Sequence, residues 1–270
     1  MGAPRAVPSL PEIADYFDRL YAVLARSAAH ASIVKEAVCE ELVGQIGYGG
    51  ESEFARLAEA VSAGPGKAVL DLCSGTGGLA AWLARHTGAH VAGLDCSAVG
   101  LRTAVREGVG SGVSFILGDV DQLPFAARSF DGIVCLDGFS YDLESLAAEC
   151  GRVLRPGGAF AFLVSLRSEK VGEVSGAFVD AGLEAGVEDL TGQATPLLTA
   201  WLAAYKRWEH AHEMEVGERY HRALSGEVKD LLALYSTGRA LRALVSGCKP
   251  KDLRDECKET SRARLTRPQR

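Results

Sequence analysis

An α/β fold with a mostly parallel sheet covered on both faces is predicted for this 270-residue chain, and three observations predict it. From Lys67 onward, short apolar or β-branched runs alternate with helical stretches, a pattern that places helices on both sides of parallel strands. The first of those runs leads into a glycine-rich turn and then a helix. Hydrophobic residues make up 47% of the chain, enough to bury the core of one large domain.

The elements follow in order. From Ser9 to about Leu42, Ile13, Phe17, Leu20, Tyr21 and Leu24 recur at three- and four-residue steps, the period of one or two helices. Gly44-Gln-Ile-Gly-Tyr-Gly-Gly50 then breaks the pattern, as expected of a loop that turns sharply or passes close to a ligand. Glu51 to Ser62 resumes as a helix. Strands are expected at Ala68–Cys73, His90–Asp95, Val113–Leu117, Asp131–Leu136 and Ala159–Leu166, with a weaker sixth at Leu183–Leu190 and a seventh at Ala240–Cys248. Between the last two, Pro196–Thr237 lacks sheet character and reads as one long or two shorter amphipathic helices capping the sheet. Arg152-Val-Leu-Arg-Pro-Gly-Gly158 reads as a sharp turn before the fifth strand. The expected organisation is a helical lid over 1–50, a ligand-binding core over 51–190, a cap over 191–239, the last strand over 240–250 and a basic tail over 251–270.

Composition narrows the function. With 35 Asp+Glu against 29 Lys+Arg, a net charge of -6 gives no positive field for nucleic acid or anionic lipid. No apolar run reaches spanning length, and Pro4, Pro8 and Pro11 break the N-terminal stretch, so neither a membrane segment nor a signal peptide is expected. The seven cysteines lack paired metal-site spacings and fit a reducing compartment. The expectation is a cytoplasmic protein with a small-molecule substrate and no bound metal, with a homodimer left open. Abundant Ala, Gly and Arg hint at a high-GC genome and specialised metabolism.

The sharpest local signal is Val69-Leu-Asp-Leu-Cys-Ser-Gly-Thr-Gly-Gly-Leu-Ala80. Gly75 and Gly77 let the backbone approach a ligand, and the following helix offers free N–H groups to an anion. The loop alone also matches a dinucleotide fingerprint, with Asp95 at the ribose position. Asp71 disfavours that reading: a carboxylate at the end of the first strand repels a pyrophosphate and attracts the ammonium of an amino-acid cofactor. Asp119, after the third strand in Gly118-Asp-Val-Asp-Gln-Leu-Pro-Phe125, is placed to meet an adenine amino group.

These phrases together resemble the class I S-adenosylmethionine-dependent methyltransferases of the small-molecule type, over roughly Glu51 to Leu190 and the last strand. The resemblance implies a Rossmann-like, doubly wound sheet of seven strands with the last one antiparallel. It implies that Asp71, Gly75 and Gly77, with Cys73 and Thr76 between them, hold the methionine part of S-adenosylmethionine. It assigns Asp95, with Cys96, to the ribose and Asp119 with Val120 to adenine, and it places Leu136 beside the cofactor. Cys73 departs from the family, which usually has Gly there. Tyr48 in the glycine-rich loop is expected to close over the cofactor carboxylate.

For the chemistry, Leu136-Asp-Gly-Phe-Ser-Tyr-Asp142 follows the fourth strand at the ligand-binding edge of the sheet. Tyr141 stands where many small-molecule members carry His, so Tyr141 and Asp137 are candidates to bind substrate or take its proton. Tyr205, Trp208 and His212 fall at helical steps on one cap face and are candidates to contact substrate, His212 as a base. Tyr21 is a further substrate candidate. The competing reading makes Tyr205 and Trp208 the glue between cap and sheet. A second competing reading keeps the fold and cofactor but replaces methyl transfer by a cyclisation or rearrangement, or by a non-catalytic binding role.

Overall fold

The computed structural model describes residues 8–38, 47–107, 112–138 and 142–251. Two helices, α1 (Leu10–Leu24) and α2 (Ala28–Val38), precede α3 (Glu51–Ala60). At the start of α1 the Glu12 carboxylate accepts the Ser9 N–H at 2.8 Å, satisfying a donor that the helix leaves open. Then β1 (Ala68–Leu72), α4 (Gly78–Thr87), β2 (His90–Asp95), α5 (Ala98–Arg106), β3 (Val113–Leu117), β4 (Phe130–Leu136), α6 (Leu143–Val153), β5 (Leu154–Arg167) and α7 (Val171–Asp180) alternate as the sequence pattern requires. They are followed by β6 (Glu184–Asp189), the cap helices, and β7 (Ala240–Cys248).

The seven strands lie in the order β3-β2-β1-β4-β5-β7-β6. The first five pair in parallel, and β7 inserts antiparallel between β5 and β6. The Arg152–Gly158 turn lies partly inside β5. Pairing with β4 jumps from Leu154 opposite Phe130 to Ala159 opposite Gly132, so the intervening residues bulge out around Gly157 at φ +77°.

Alternation along the strands builds two layers. Leu70, Leu72, Leu94, Ile133, Phe160 and Phe162 pack with Leu146 and Ala147 of α6 and Val174 and Phe178 of α7. Val69, Val91, Val134 and Leu163 pack on the other face with Phe54 and Leu57 of α3 and Leu79 and Leu83 of α4. A third apolar cluster joins α1 and α2 to the cap through Leu20, Leu24, Ile33, Leu198, Trp201 and Val228.

The cap differs from the one or two helices expected. It comprises α8 (Thr191–Arg207), α9 (Glu209–Val216) and α10 (Glu218–Ser236). Trp208 leaves helical geometry at φ -97°, ψ 8°, and Gly217 at φ +90°, ψ 144° turns the chain between α9 and α10. Among the described residues no helix is long and apolar enough to cross a membrane.

Candidate active site

Parallel pairing brings the carboxyl ends of β1, β2, β3 and β4 to one edge, and a cavity of about 740 Å³ opens there. Its floor is the turn after β1. Gly75 (φ +54°) and Gly77 (φ +82°) take left-handed geometry. A Cβ at Gly75 would stand 2.7 Å from the Tyr21 hydroxyl, and one at Gly77 2.7 Å from the Phe115 ring. Only glycine fits both requirements. Cys73, where the family usually has Gly, also takes φ +56°, at a backbone cost of about 1–2 kcal/mol for a side-chain-bearing residue.

Asp71, 1% exposed, is the most constrained acid of the site. Burial pushes its carboxyl well up and Asp95 adds to this, while the Ala80 N–H at the start of α4 opposes. Its Oδ2 is buried without a hydrogen-bond partner, as are the Ser74 and Thr76 hydroxyls. Buried polar atoms are normally paired, so this trio fits a ligand that brings an ammonium or other donors to the turn.

Asp95 ends β2. Its Oδ2 accepts the Gly75 N–H and its Oδ1 the Ser97 N–H, each at 2.8 Å. Burial raises its pKa against these bonds. A carboxylate has about four lone-pair positions, which leaves room for ligand hydroxyls. Asp119 accepts the Asp121 N–H at 3.0 Å and, with Val120, lines the far end of the cavity.

Cys73, Thr76, Cys96 and Leu136 also line the cavity, whereas Gly77 caps α4 behind the wall. Tyr21, from α1, lies over the glycine turn and faces this same edge. Tyr48 lines the cavity from the cap side. Its hydroxyl donates to Glu227 Oε2 at 3.0 Å and lies 3.3 Å from the Leu224 carbonyl, and its N–H donates to Asp137 Oδ2 at 3.0 Å. Edge-on packing against Trp201 completes its fixation.

Asp137, at the end of β4 with φ +55°, lines the cavity but is tied up in a buried ionic group. Arg242 of β7 contacts both its oxygens, and the same guanidinium donates from Nε and Nη2 to the Glu53 oxygens at 3.0 Å each. Burial opposes the Arg242 charge, but Asp137 and Glu53 outweigh it and hold the pKa up.

Tyr205, Trp208 and His212 do not line this cavity. Tyr205 packs its ring against those of Trp201, His212 and His221, while Trp208 and His212 face α2. The Trp208 indole donates to Glu36 at 3.1 Å. His212 is fully buried, with Nδ1 3.0 Å from Nδ1 of His221, and its ring stacks on His30 at 5.5 Å. Burial, then the neighbouring imidazole, pulls His30 down to about 3 and His212 to about 4. Tyr141 lies outside the described residues. Sequence reasoning missed Glu227 and the Glu53–Arg242 pair. A charged Arg242 amid the apolar β7 run was the one available signal that a buried acid must lie opposite.

Residues 69–158 match the methyltransferase domain family. This stretch runs from β1 past the bulge in β5 and carries Asp71, the glycine turn, Asp95 and Asp119. The stretch, a third of the chain, is thus similar to a methyltransferase domain. Methyltransferase GfsG of Streptomyces halstedii is 42% identical over 118 residues, 42% of this chain and 42% of that protein. The chain spans less than half the length of the curated relatives it matches. Two solved structures share the domain's fold. The [4+2]-cyclase SpnF superposes with a TM-score of 0.73 at 17% identity, over 93% of this chain and all of that one. Phosphoethanolamine N-methyltransferase 2 of Haemonchus contortus, in complex with S-adenosyl-L-methionine, gives 0.74 at 19% identity, over 92% of this chain and 62% of that one.

Proposed function

We propose that this protein is an S-adenosylmethionine-dependent methyltransferase acting on a small organic acceptor, in the cytoplasm and in specialised metabolism. The observation that carries the reading is the unpartnered, buried Oδ2 of Asp71 at the end of β1, beside a glycine turn whose cavity also receives Asp95 and Asp119. Asp71 and the turn hydroxyls would hold the methionine ammonium and its surroundings, Asp95 the ribose hydroxyls, and Asp119 with Val120 the adenine. When bound, the cofactor supplies an activated methyl group. The chain's own work is to align the acceptor and exclude water. Helix α1, through Phe17 and Tyr21, and α10, through Leu224 and Glu227, roof the cavity for that purpose and serve as its lid.

Titration with S-adenosylhomocysteine tests the binding register. Asp95→Ala is expected to weaken affinity by roughly 1–3 kcal/mol, through loss of charge-assisted hydrogen bonds. Unchanged affinity would sink the ribose assignment. The likeness to SpnF supports a second reading, in which the same fold serves a cyclisation. Product mass separates the two: methyl transfer adds one methyl group and releases S-adenosylhomocysteine, whereas cyclisation leaves the mass unchanged.

A further inference from the structure

Beyond the cofactor residues, the cavity wall divides into two chemistries. One side is apolar, with Ile13, Phe17 and Leu20 of α1 and Leu224 of α10. Leu10 and Tyr16, 39% and 44% exposed, continue that surface toward solvent, as an entry path for an apolar molecule would.

The other side is acidic. No Lys, Arg or His lines the cavity among the described residues. Segments 39–46, 108–111 and 139–141 hold no basic residue and 1–7 holds only Arg5; 252–270 holds six, but it follows Cys248, which pairs with Ala159 at the sheet edge opposite the cavity. The acids here are not equivalent. Asp137 is neutralised by Arg242, and Asp142 caps α6 by accepting the Ser145 N–H at 3.0 Å. Glu227 has no cation partner among the described residues; the Tyr48 hydroxyl holds its Oε2, and the hydrogen bonds described leave Oε1 unused. Burial pushes its carboxyl up and Asp137 adds to this, while the Tyr48 hydroxyl opposes.

We infer that the acceptor is an apolar molecule bearing an amine or hydroxyl donor that Glu227 receives, and that phosphorylated and carboxylated acceptors are refused. The inference rests on the methyltransferase reading, since it gives the glycine-turn side of the cavity to the cofactor. An anionic head group would meet acids of its own sign and no fixed cation, whereas an amine or hydroxyl satisfies the Glu227 carboxylate. Tyr48, anchored by Asp137 and Trp201, sets the position of that carboxylate. The fold shared with a phosphoethanolamine methyltransferase therefore does not carry over that enzyme's phosphorylated class of substrate.

Calorimetric titration of the S-adenosylhomocysteine-saturated protein with octylamine, 1-octanol, octyl phosphate and octanoate varies the head group alone. The amine and the alcohol should bind, each at least about ten-fold tighter than either anion. In Glu227→Gln that preference should fall to within about three-fold, with S-adenosylhomocysteine affinity, measured first, reporting an intact fold. An anionic probe that binds as tightly as the amine overturns the inference. So does a head-group preference that survives in Glu227→Gln, or the failure of every probe in a protein that still binds S-adenosylhomocysteine. If the wild type fails to bind S-adenosylhomocysteine itself, the methyltransferase reading falls and takes the inference with it.

Discussion

Replacing Arg242 with methionine is expected to destabilise the protein by about 3–5 kcal/mol, the usual cost of stranding a buried charge by removing its partner. Two carboxylates lose their cation at once, since the guanidinium is shared by Glu53 and Asp137 and the three side chains are 4%, 10% and 18% exposed. The deficit carries a pH signature. Burial already raises the Glu53 carboxyl and Arg242 opposes this, so without Arg242 the penalty at Glu53 is small where it is protonated and grows as pH rises through its folded pKa. Urea unfolding of wild type and variant should therefore diverge more at about pH 7 than at about pH 5. Adding Glu53→Gln and Asp137→Asn to the variant should recover part of the loss. A deficit equal at both pH values would instead assign Arg242 a packing role only.

Acidification from about pH 7 to about pH 5 is expected to remove about 2 kcal/mol for each of His30 and His212, or about 4 kcal/mol together. Their folded pKa values of about 3 and about 4 lie below the ordinary 6.5. The unfolded chain then takes up protons that the folded one refuses, so stability falls as pH drops through about 6.5 and levels off only near the folded values. Both rings sit where α2 meets the cap, and that interface should open first. His30→Leu with His212→Leu should flatten the decline in melting temperature between these pH values. A double variant as acid-sensitive as wild type would place the lability elsewhere.

The sheet was readable because each strand is a short run bounded by turns. Val69, Leu70 and Leu72, for example, serve opposite layers at alternating positions. Asp71, Asp95 and Asp119 were readable for the same reason: each stands at or just beyond the carboxyl end of a strand whose end the sequence marks. The cap was harder. Tyr205 and His212 still meet across the break at Trp208, their rings 5.7 Å apart, but away from the cavity, and Trp208 carries no glycine or proline to announce the break. Glu227 looks like any solvent-facing acid of α10, and only the fold brings it to Tyr48 across 179 residues of chain.

The insertion of β7 between β5 and β6 also sets an order of assembly. β5 spans 14 residues, most of them buried, and its second neighbour arrives only with Ala240–Cys248, after the whole cap has been synthesised. Until then the outer edge of β5 presents unpaired N–H and C=O groups beside Phe160, Phe162 and Val164, the kind of edge that templates association between chains. A ribosome that stalls within the cap thus leaves the stickiest strand of the sheet uncovered. Covering that edge requires a contact between residues some 80 positions apart to close.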